Sequence, residues 1–112
     1  MNTDEFERSV RRTMPDDYPE DTEGFRKKMN FLLGLFGEYG EVVELIKKET
    51  FHQHERNPEK LTEELGDVLW YLTALCIDYG IPLNTVMETN MKKLQKRYPN
   101  GFSSADSINR VV

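Results

Sequence analysis

The chain has 112 residues, a length that suits one compact domain and leaves little room for a second. Hydrophobic residues make up 38% of it and charged residues 31%, too apolar for a disordered chain and too charged for a membrane span. With 15 Lys and Arg against 20 Asp and Glu, the formal charge of −5 argues against an electrostatic grip on polymeric DNA or RNA, though not against a small nucleotide carried with a metal ion.

The amino terminus MNTDEFERS lacks an apolar signal core, and no run approaches the roughly 18 apolar residues of a spanning helix, so no membrane association and a cytoplasmic location are expected. Pro15, Pro19, Pro58, Pro82 and Pro99, with Gly80 and Gly101, cut the chain into four helical segments and a tail. The first, over about 3–14, is short and charged and stops at Pro15. The second, over about 22–51, carries Phe31, Leu32, Leu35, Phe36, Tyr39, Val42, Val43 and Ile46 on one apolar face. Glu38 borders that face and Glu41 lies about 60° further round, with Glu44 another step towards solvent. Gly34 and Gly37 precede the two glutamates by one turn. A gap for a ligand and close helix packing account for them equally well.

In the turn HQHERNP, Asn57 is placed to cap and Pro58 to open the third helix, while His52 and His54 read as surface residues. That helix, over about 58–79, gathers Leu61, Leu65, Val68, Leu69, Leu72, Leu75, Cys76 and Tyr79 into an apolar face. Glu64 stands at its edge, Asp67 about 60° beyond, and Tyr71 between them in angle one turn on. Cys76, the single cysteine, reads as a small buried hydrophobe. The fourth helix, over about 82–98, buries Leu83, Met87, Met91, Leu94 and Tyr98 and lines one flank with Asn90, Lys93 and Arg97. That flank suits phosphate oxygens, or is an ordinary solvated strip. The core is expected over 22–102, with 103–112 as an irregular tail or an arm onto a neighbour. Strand alternation is absent, so an all-α antiparallel bundle of about four helices is expected.

If the second and third helices pack antiparallel, the pairs Glu38 with Glu41 and Glu64 with Asp67 meet in one cleft. Two carboxylates about 4 Å apart repel by roughly 4 kcal/mol at an effective dielectric of 20, so protonation or a divalent cation must relieve them. Oxygen ligands suit Mg²⁺, with Mn²⁺ as a substitute, and no Cys and His cluster suggests zinc. A solvated acidic face also produces such spacing. Geometry alone leaves both readings open.

The segments GEYGEVVELIKK, LTEELGDVLWYLTAL and NMKKLQKRYPNGF together resemble the MazG-like nucleotide pyrophosphohydrolases, an all-α superfamily. The resemblance covers about 34–102. It implies Mg²⁺ dependence and cleavage of a nucleoside triphosphate to the monophosphate and pyrophosphate. It places metal ligands at Glu38, Glu41, Glu64 and Asp67, with the general base left open between Glu41 and Glu38. Lys93 and Arg97, helped by Asn90, would hold phosphate and Tyr71 would contact the base, while Trp70, which points elsewhere by helical angle, would serve packing or a subunit contact. Gly37 stands where many members carry a further glutamate, which puts a second-metal role in question. The resemblance also implies a homodimer or homotetramer with sites near subunit boundaries. The other reading is a non-catalytic helical module that binds a nucleotide or oligomerises.

Overall fold

The computed structural model describes residues 1–16, 18 and 22–111. Its helices are α1 (Thr3–Thr13), α2 (Phe25–Phe51, entered through a 3₁₀ turn over Thr22–Gly24), α3 (Pro58–Asp78), α4 (Leu83–Arg97) and α5 (Ser104–Ile108). No strand occurs among the described residues; Pro99 and Gly101 form one isolated bridge. The fold class is all-α, as expected. The expected tail differs, because Ser103 accepts from the Asp106 amide and starts the short α5.

Local chemistry sets the helix ends. Asn2 and Glu5 form a capping box, with Asn2 Oδ1 accepting from the Glu5 amide at 2.9 Å and Glu5 accepting from the Asn2 amide. Asn57 accepts from the Lys60 amide at 3.1 Å, and Pro58 occupies the first turn. At the end of α3, Gly80 adopts φ 69° and the Ile81 amide donates to the Cys76 carbonyl at 2.9 Å, a Schellman closure that Gly permits without strain.

α2 and α3 form the main helix–helix interface. Their partners run in opposite order along the two helices: Lys28 over Tyr79, Gly34 against Tyr71, Glu38 with Asp67, and Glu49 accepting from the Asn57 amide. The hairpin is therefore antiparallel. Its hydrophobic centre is small: Val10, Phe31 and Ala74 are buried, with Phe6, Met14, Tyr18, Trp70, Tyr71, Leu75 and Ile77 packed around them. Val10 belongs to α1, so the core also takes in a helix outside the expected 22–102 span.

Two polar contacts tie α1 down. The Trp70 indole donates to Thr13 Oγ1 at 2.7 Å, and Glu7 accepts from the Leu83 amide at the start of α4. Pro82 offers α4 no side-chain cap, so Glu7 supplies one from another helix. α4 packs on α1 and α3.

Several expected core residues lie open. On α2, Leu32, Phe36, Tyr39, Val43 and Ile46 are exposed, as are Leu65 and Leu69 on α3, Tyr79 at its C-cap, and Met87, Met91 and Leu94 on α4. The radius of gyration is 17.6 Å, against about 13 Å for a compact chain of this length. The apolar faces exist, but a single chain does not cover them.

Candidate metal centre

Glu38 on α2 and Glu64 and Asp67 on α3 each place a carboxylate oxygen within 4.8 Å of the others. The antiparallel register brings them together, because Glu38 points along the line of α2 that contains Phe31, Leu35 and Val42 and faces α3. Glu64 is only 8% exposed, so one of the three charges is largely out of water. Desolvation raises the Glu38 carboxyl above its ordinary pKa, and the charges of Asp67, Glu64 and Glu41 and a hydrogen bond to Glu64 push it the same way.

Among the described residues, Lys60 answers this charge. Lys60, one turn before Glu64, pairs with it at 3.2 Å and reaches Glu63 at 3.7 Å. The Glu64 hydrogen bond and charge raise the Lys60 ammonium pKa in turn. Lys60 is absent from the residues the sequence singles out for the site, although a Lys and Glu at i, i+4 in KLTEE is a legible pairing signal.

Glu41 is not part of the trio. It is exposed and lines a cleft of about 130 Å³ with Glu44, Leu45, Lys48, Lys60 and Glu64. The cause is angular: a 60° step from Glu38 carries Glu41 out of the interface towards the cleft mouth. Glu44 pairs with Lys47 at 3.7 Å on the surface, in line with the solvent reading.

The glycines separate. A Cβ at Gly34 would collide with the Tyr71 ring, whereas one at Gly37 would meet nothing within 4 Å among the described residues. Close packing therefore explains Gly34. Tyr71 is half-buried against the core and in edge contact with Trp70, their ring centres 4.9 Å apart. Trp70 packs edge-on against Phe31 as well as Tyr71.

The flank of α4 stands apart from the trio. Asn90 and Lys93 line a shallow groove with Ile81, Thr85, Val86 and Thr89, and Arg97 Nε donates to the Val111 carbonyl at 3.2 Å. Among the described residues, none of the three makes a hydrogen bond or ion pair with Glu38, Glu64 or Asp67. His52 and His54 are exposed in the turn. Cys76 is buried in a different part of the hairpin, beside Lys28, Leu32 and Tyr79.

Three carboxylates, one of them buried, give an oxygen-only donor set with excess negative charge. That set fits a hard divalent cation and not a thiophilic one. No helix among the described residues is long and apolar enough to cross a membrane.

Comparison with known proteins points the same way. The phage gene 37 protein of Mycobacterium phage L5 is 35% identical over 82 residues, covering 70% of this chain and 72% of its own. The dCTP pyrophosphatase 1 of Homo sapiens is 34% identical over 93 residues, covering 78% of this chain and 55% of its own. That of Mus musculus is 39% identical over 85 residues, covering 70% and 50%. The chain thus spans about half the length of these pyrophosphatases. No solved structure matches it. The profile of the MazG nucleotide pyrophosphohydrolase domain matches residues 26–102, a stretch that holds the whole carboxylate trio, and the chain belongs to that family.

Proposed function

We propose that this chain is a Mg²⁺-dependent nucleoside triphosphate pyrophosphohydrolase that converts a ribo- or deoxynucleoside triphosphate to its monophosphate and pyrophosphate. The observation that carries the reading is the cluster of Glu38, Glu64 and Asp67, whose mutual repulsion a bound cation relieves. These three hold the metal, with Mn²⁺ able to replace Mg²⁺, and Glu41 joins them or faces the reacting water. When bound, the metal supplies a Lewis acid that stabilises charge developing on the phosphate oxygens.

The remaining work falls to this chain's side chains. Glu41, exposed at the cleft mouth, takes the proton of a water that attacks the α-phosphorus in line, and Glu38 is the alternative base. Lys60 stands beside Glu64, where its ammonium would be within reach of a phosphate oxygen at the site. Lys93 and Arg97, with Asn90, serve the outer phosphates, and Tyr71 contacts the base. Because these α4 residues make no hydrogen bond or ion pair with the trio among the described residues, the reading includes a homodimer or homotetramer that completes the site.

Relatives named dCTP pyrophosphatase make dCTP the first substrate to test. Purified protein is assayed with each ribo- and deoxynucleoside triphosphate and Mg²⁺, and the products are resolved. Monophosphate and pyrophosphate are expected, and Asp67→Ala is expected to lower the rate at least a hundredfold. Full Mg²⁺-dependent hydrolysis by Asp67→Ala would sink the scheme. Nucleotide binding without pyrophosphate release would instead favour a non-catalytic nucleotide-binding module.

A further inference from the structure

Gly34 is singular among the glycines within α2 and α3. A Cβ built there would lie 2.5 Å from both Cδ1 and Cζ of Tyr71 and closer still to Cε1, whereas at Gly37, Gly40 or Gly66 it would meet nothing within 4 Å among the described residues. The Tyr71 ring is thus seated on the bare backbone of α2. Trp70 holds it from its own helix, through an edge contact at 4.9 Å and 77°.

The position of this seat gives it a consequence. Gly34 lies one turn before Glu38, and Tyr71 lies one turn beyond Asp67, so in an antiparallel hairpin they form the layer next to the carboxylates. One turn is about 5.4 Å, close enough for the ring to border anything bound at the trio. Glycine at an interior helix position costs about 0.5–1 kcal/mol relative to alanine. Here the vacancy is filled by an aromatic ring at the border of the site, so the glycine determines where that ring stands.

We propose that Gly34 is a specificity-determining residue, which recesses Tyr71 into α2 and so sets the depth of the space beside the carboxylates that receives the nucleobase. The proposal rests on the nucleotide reading above. A methyl group at position 34 must move either the α2 backbone or the ring. The backbone is held by its helical hydrogen bonds, whereas the ring turns about two side-chain torsions, so the ring yields. It then leaves its seat and narrows the space, at the greater expense of the larger base.

The test uses the full chain with Mg²⁺ and four forms: wild type, Gly34→Ala, Tyr71→Ala and the double variant. Trp70 is the single tryptophan and touches Tyr71, so its emission reports both ring displacement and nucleotide binding. Gly34→Ala is expected to shift the Trp70 emission and to weaken dATP at least fivefold more than dCTP. Inhibition by inorganic tripolyphosphate, which has no base, stays within twofold. In the Tyr71→Ala background the same Gly34→Ala change alters the dATP to dCTP ratio by less than twofold, because the ring it acts through is gone. Equal weakening of both nucleotides by Gly34→Ala, or an equal effect with and without Tyr71, overturns the proposal. Alanine favours helix but overpacks the α2–α3 seam, so a thermal melt of each form checks that it is folded under the assay conditions. A wild type that binds nucleotides and hydrolyses none refutes the hydrolase reading alone, since the binding ratio still decides the role of Gly34.

Discussion

Glu38 carries opposing demands on one side chain. Its raised pKa means that the folded chain disfavours the ionised form when no cation is present. The stability linked to this group is therefore full below the ordinary glutamate pKa of about 4.3, and it is lost as pH rises through the higher folded value. Glu38→Gln removes the ionisable group and keeps its size. In chelator at neutral pH the variant is expected to melt higher than wild type, and to lose less stability than wild type between pH 4 and 7. Mg²⁺ should then raise the wild-type melting temperature and leave the variant nearly unmoved, with hydrolysis abolished. A variant that melts lower than wild type in chelator would show that Glu38 is held by favourable contacts and not by a cation's absence. This residue was legible in the sequence, since its angular position at the edge of an apolar helix face pointed to the partner helix. Lys60 escaped notice because cations were expected on the fourth helix, with Lys93 and Arg97, and not beside the acidic pair of the third. The seat of Tyr71 on Gly34 was not legible, because spacing reports which residues share a face but not which ring fills a vacancy across it.

At the scale of elements, α1 does more than its short, charged sequence suggested. Val10 is 1% exposed, and Glu7 accepts from the Leu83 amide where α4 has no cap of its own. Helix caps contribute about 1 kcal/mol, and an amide left unpaired near the core loses roughly 1–3 kcal/mol. Glu7→Ala is accordingly expected to lower the melting temperature by about 4 °C or more, and to speed amide exchange in the first turn of α4 above all. Glu7→Gln keeps an acceptor oxygen and is expected to recover most of the loss. Equal exchange in α4 for wild type and Glu7→Ala would remove Glu7 from this role. The helix boundaries themselves were readable, because Asn57, Pro58, Gly80 and Pro82 act within a few residues of where they stand. A cap donated from residue 7 to residue 83 leaves no local pattern to read.

For the whole molecule, the apolar face read on α2 divides into two. Phe31, Leu35 and Val42 turn towards α3, while Leu32, Phe36, Tyr39, Val43 and Ile46 recur at steps of four and three along a line about a quarter-turn away. Phe36 is 74% exposed there, and Phe102 beyond α4 is 75% exposed. Periodicity merges two adjacent stripes into one wide face, so it overstated what a single chain buries. Covering a side chain the size of Phe is worth about 1.5–3 kcal/mol, and a stripe of five such residues favours association strongly. The wild-type chain is expected to sediment as a dimer or tetramer at micromolar concentration. Phe36→Asp places a charge in the middle of the stripe and should release monomers. Phe36 stands about 200° round α2 from Glu38, on nearly the opposite side, so those monomers should still bind Mn²⁺ at the trio, which resides within one chain. Hydrolysis should fall at least tenfold in the same variant, because in the proposed reading the assembly is what brings Lys93 and Arg97 to the trio. A wild type that is monomeric and fully active, or a monomeric Phe36→Asp with wild-type hydrolysis, would show that one open hairpin suffices and that the α4 flank works elsewhere.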